Sequence, residues 1–127
     1  MGVWGSGNLD SDGALDAVAE RSGELIERIW TALQTSTSWE ADESEHDELF
    51  VDLEWLLAAD AGGCLSVWNM PPLAALEPVL AMWLEGWSAY YDGLAGPEFK
   101  AERRGVIDAT FQRLRELSQR RDEQRAE

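Results

Sequence analysis

The chain has 127 residues, 45% apolar and 28% charged, the values of a single globular domain able to bury a core without disulfides or a structural metal. Cys64, the one cysteine, excludes an internal disulfide, and Asp60, Glu77 and Glu85 interrupt every apolar run before it reaches the roughly 18 residues a bilayer span needs. With 25 acids against 10 bases the net charge is −15, a field that repels nucleic acid, anionic membranes and phosphate-rich substrates and attracts basic partners.

The opening MGVWGSG punctuates a segment where most chains fray. Gly5 and Gly7 permit positive φ in a tight coil, and Trp4 offers a large apolar anchor against the first helix. Residues 1–11 are therefore expected to form a stapled coil. Ser11 or Asp12 caps the helix that follows, with Asp12 and Asp16 placed where the dipole of a helix start favours negative charge. Leu15, Val18, Ser22, Leu25, Ile26, Ile29, Trp30 and Leu33 recur at three-and-four spacing, which predicts that helix from Asp12 to about Gln34. The hydroxyls and acids of residues 36–46 then predict a solvated acidic loop.

A second helix is expected from about Asp47 to Asp60, with apolar residues on one side at Leu49, Phe50, Leu53, Leu56 and Leu57 and on another at Val51, Trp55 and Ala58. Apolar groups at nearly every angle predict a helix touched by several neighbours. Gly62 and Gly63 stop it with a left-handed cap, and Leu65 to Trp68 reads as a brief strand. Pro71 and Pro72 pre-set a turn at Leu73 to Leu76, and Pro78 is expected to begin the third helix, whose inward stripe is Leu80, Trp83, Leu84, Trp87, Tyr91 and Leu94. The last helix runs from about Glu98 to Arg121, with Phe99, Val106, Ile107, Thr110, Leu114 and Leu117 inward and residues 122–127 a frayed tail. The sum is an all-α, single-domain irregular bundle of about four main helices.

The opening also resembles a known pattern. Met1, Gly2, Trp4, Gly5, Gly7, Leu9, Asp10, Ser11, Asp12, Ala14 and Asp16, as they are spaced here, are similar to the signature of a bacterial family called domain of unknown function 4259. Relatives usually carry phenylalanine in place of Leu9 and asparagine in place of Ser11. The likeness covers about sixteen residues and implies a small bacterial, cytoplasmic, all-helical protein, with no activity attached. It makes Gly2, Trp4, Gly5, Gly7, Asp12 and Asp16 a structural motif. The absence of a charged-then-apolar leader in this sequence also predicts a cytoplasmic address.

Chemistry is narrowed by elimination. Asn8, Asp10, Asp12, Gly13, Leu15 and Asp16 match the spacing of a calcium loop, but its closing glutamate position is Ala19, so helix capping is the expected role and no metal or cofactor is assigned. His46, the single histidine, is expected exposed in the acidic loop, and Cys64 is expected to be a small core thiol. Asp52 with Glu48, one helical turn apart, or Glu85 among apolar residues, are the only hints of a small helical enzyme or carboxylate metal site. Of seven tryptophans, Trp30, Trp55, Trp83 and Trp87 are expected near the core. Trp39 and Trp68 lie in irregular segments, either as lids on the bundle or as anchors for a partner.

Residues 1–98 hold 19 acids and two bases, whereas residues 99–127 hold 6 acids and 8 bases. This uneven charge favours a protein-interaction module, of the inhibitor or immunity type, that binds a basic protein through Trp39, Asp42, Glu43, Glu45, Asp47, Glu48 and Trp68. A small helical enzyme or metal-binding protein using carboxylates, or a homo-oligomeric structural subunit covering the second helix, stands as the alternative. Neither nucleic acid nor membrane is an expected partner.

Overall fold

The computed structural model describes residues 2–36, 39, 44–90 and 96–126. It is an all-α bundle of four helices: α1 (Asp12–Thr35), α2 (Ser44–Ala61), α3 (Leu73–Tyr90) and α4 (Pro97–Arg125). The Ser11 hydroxyl accepts the Ala14 N–H at 3.1 Å and starts α1. Asp12 lies in the first turn of this helix, and Asp16 follows one turn later.

The N-terminal coil is tied down, but not as expected. Val3 bridges Ser11 in antiparallel fashion, and the Trp4 N–H donates to the Asp10 carbonyl at 3.1 Å. Trp4 itself is 56% exposed, so the backbone holds this segment and the indole anchors nothing. Neither Gly5 nor Gly7 has positive φ; instead both lie against the Asp10 carboxylate, which a Cβ there would approach to 2.5 Å and 2.7 Å and push aside. That carboxylate accepts the Gly7 N–H at 2.9 Å, closing the coil on itself.

At the end of α2, Gly63 has φ +72°, its N–H donates to the Asp60 carbonyl, and the Cys64 N–H reaches back to Ala59 at 2.8 Å. This left-handed stop leaves Cys64 exposed, not in the core. Residues 64–67 are coil rather than strand. α3 then begins at Leu73, five residues before the expected start, and contains Pro78. Proline is tolerated there because Ala74, whose carbonyl loses its donor, lies on an exposed side of the helix.

Contacts run α1 to α2, α2 to α4, α4 to α3 and α3 to α1. Arg28 meets Asp52 while Ser36 and Glu45 share one groove, which makes α1 and α2 antiparallel; Asp60 with Arg120 and His46 with Arg103 make α2 and α4 parallel. The 62–72 connection must therefore cross one end of the bundle diagonally. It is pinned from both flanking helices: Ser22 of α1 accepts the Ser66 N–H at 3.0 Å, and Arg125 of α4 donates to the Trp68 carbonyl at 2.6 Å. Asp122 accepts the Leu73 N–H at 3.1 Å and so caps α3. Helix α4 thus persists to Arg125, and residues 122–125 are a working end of the bundle, not a frayed tail.

The core joins Ile26, Ile29 and Leu33 to Leu49, Leu53 and Leu56, Leu76 and Leu80, and Ile107, Leu114 and Leu117. Trp83 sits at its centre, edge-on to Phe50 at 5.5 Å and to Phe111 at 5.4 Å. Leu15, Phe99 and Val106, expected inward, are exposed, while Tyr91 and Leu94 lie outside the described residues. Among the described residues no helix is long and apolar enough to cross a membrane.

Candidate functional site

Helix α1 turns Glu24, Glu27, Arg28 and Thr31 toward α2, which answers with Glu45, Glu48 and Asp52 on successive turns. Between the two helices lies a groove of about 640 Å³ whose floor is Ala32 and Leu49. Arg28 is the one base in its lining. Its Nη2 donates to one Asp52 oxygen at 3.0 Å and its Nε to the other at 3.3 Å, and this two-pronged contact, followed by the plain attraction of the carboxylate, raises the guanidinium's pKa. Because the Arg28 side chain is 58% exposed, the pair is worth at most about 1 kcal/mol. No cation among the described residues pairs with Glu27 or Glu48, so the groove is strongly negative.

Next to it, the outward face of α2 carries Val51, 52% exposed, and Trp55, 66% exposed, one turn apart, with Ala58 continuing the line. Helix α2 is thus not buried all round, and Trp55 is not a core residue. Asp47 and Glu54 border this stripe on one side and Glu48 and Asp52 on the other, all read from the helical repeat. The sequence held the signal. Positions 51 and 55 are centred among acids, whereas 49, 53 and 56 are centred among leucines.

The expected partner-binding residues do not form one surface. Glu45 and Glu48 line the groove, and Asp47 borders an adjoining cleft with Arg28, Val51 and Asp52. Asp42 and Glu43 lie outside the described residues. Trp39 packs inward as a lid, its ring 5.4 Å from that of Trp83 and laid against Gly86, where a Cβ would come within 2.7 Å of it. Trp68 is half exposed, but the Arg125 guanidinium covers its ring at 4.4 Å, at the far end of the 18-residue α2 from Trp39 and roughly 25 Å away.

His46 is also placed differently. Helix α2 starts three residues early, and its first turn carries the imidazole inward to 3% exposure against Phe50 and Trp83. Arg103 Nη2 lies 3.4 Å from Nε2 and Asp47 Oδ1 lies 3.4 Å from Nδ1, so the ring sits between a guanidinium and a carboxylate. The Arg103 guanidinium also stacks on Phe50 at 4.5 Å. This buried cluster is structural packing between α2, α3 and α4. Glu85, the other hint of chemistry, is exposed, and Asp52 is engaged by Arg28.

No group of three or more metal-ligating side chains occurs among the described residues. Comparison with protein-family models, with curated proteins and with solved structures finds no match to this chain.

Proposed function

We propose that this chain is a protein-interaction module, of the inhibitor or immunity type, that receives a basic protein on its α1/α2 face. The observation that supports this reading is the contiguity of the acidic groove with the exposed Val51 and Trp55 stripe. Charge steers a partner from a distance, and a desolvated aromatic holds it once it arrives. The opening motif adds a proposed family, domain of unknown function 4259, and with it a bacterial cytoplasmic setting, but no activity.

The exposed stripe also suits a homo-oligomer, in which a second copy covers it. Pairing the same face on a two-fold axis, however, sets the bordering acids Asp47, Glu48 and Glu54 against acids of the second copy, and like charges oppose that contact. The basic partner is the better fit.

The test is kinetic, on a partner captured from source cells. Charge reversal at Glu27 and Glu48 should lower the on-rate, Trp55→Ala should raise the off-rate, and association should slow as salt rises. Binding indifferent to all three would refute the reading.

A further inference from the structure

We infer that the occupant of the α1/α2 face is an arginine-bearing amphipathic helix, whose guanidinium displaces Arg28 from Asp52 and whose apolar side chain rests on Val51 and Trp55. The inference rests on the reading that this face binds a basic partner, and it goes further by naming the partner's chemistry.

The shape of the surface selects the helix. Two antiparallel helices present parallel ridges with a trough between them, and the trough accepts the side chains of a third helix laid along it. Its volume of about 640 Å³ takes side chains, not a helix of about 10 Å diameter, so the third helix lies on the ridges and inserts its residues. The groove runs from Glu24 to Thr35 along α1, about 16 Å, which matches three turns.

The Asp52 carboxylate selects arginine. It already holds a guanidinium by two N–H donors, at 3.0 Å and 3.3 Å. A planar fork meets both carboxylate oxygens at once, and a lysine ammonium, a single point of charge, does not. Arg28 is largely exposed and its pair with Asp52 is weak, so an incoming arginine anchored by neighbouring contacts can take its place. Glu27 and Glu48 on the two rims remain for further basic residues one turn along the same helix. Trp55 lies just outside the trough, where it meets the apolar side of that helix rather than its charged side.

The probe is a capped 18-residue helical peptide with arginines at i, i+4 and i+7 and leucines on the adjoining face, compared with its lysine counterpart. Binding is measured by fluorescence anisotropy of the labelled peptide near physiological salt. The arginine peptide should bind about tenfold tighter than the lysine peptide, and Asp52→Asn should bring the ratio near one. Trp55→Ala should weaken both peptides by about tenfold with the melting temperature little changed. Arg28→Gln should increase the arginine peptide's affinity more than the lysine peptide's, because it vacates the fork. Equal binding of the two peptides, or an Arg28→Gln gain shared equally between them, would overturn the inference while leaving the basic-partner reading in place, since both peptides would still bind through charge. If neither peptide binds the unaltered protein, the inference falls, and the basic-partner reading is then decided by the salt and charge-reversal kinetics of the captured partner.

Discussion

Replacing Trp83 with alanine empties the place where three helices and the Trp39 lid meet. The indole is 1% exposed; its ring contacts Trp39, Phe50 and Phe111 edge-on between 5.4 and 5.5 Å and lies parallel to His46 at 6.2 Å. Its Nε1 donates to the Ser36 hydroxyl at 3.2 Å. Losing that donor orphans nothing, since the Ser36 hydroxyl itself donates to the Ala32 carbonyl. The cost is therefore the transfer of a large aromatic plus the cavity it leaves, about 4 kcal/mol. At about 2 cal/mol/K of unfolding entropy per residue, a chain of 127 residues should then melt about 15 °C lower. Calorimetry and urea unfolding check this, with Trp55→Ala as the matched control, expected to cost under about 1 kcal/mol from its exposed site. A Trp83→Ala loss below about 1.5 kcal/mol at an unchanged urea slope would refute the central placement of this indole.

His46→Ala should cost about 2 kcal/mol in urea unfolding, because it strips the Arg103 contact and the packing on Phe50 from a buried site; an exposed loop histidine would cost under about 0.5. The Asp122 carboxyl is held below its usual pKa, first by the Arg121 guanidinium and then by the Leu73 N–H, so its contribution is present above about pH 4 and fades as pH falls through its lower folded-state pKa. Asp122→Asn should accordingly flatten the acid limb of a stability profile while keeping the acceptor for Leu73, and an unaltered acid limb would count against the cap. Ser118→Ala should leave stability unchanged or raise it by up to about 1 kcal/mol, because the buried hydroxyl has no hydrogen-bond partner among the described residues; a clear loss in thermal melting would mean that it has one.

Features set by a few neighbouring residues were legible in the sequence. The Ser11 cap acts over three residues, the Gly63 stop over five, and the leucine and isoleucine spacing of α1 and α2 specifies their inward faces from the helical repeat alone. The net acidity and its confinement to the first three-quarters of the chain also belong to the sequence. Other features depend on what arrives from a distance. His46 is buried by Trp83 and by Arg103, 57 residues away, and the expected frayed end instead reaches back 49 residues to cap α3. Periodicity states which residues share a face of a helix but not how many neighbours that helix has. The acids flanking Val51 and Trp55 marked that side of α2 as the more polar one, but only the packing of α2 against α1 and α4 left it uncovered, because burial is a property of the space between elements and not of any one of them.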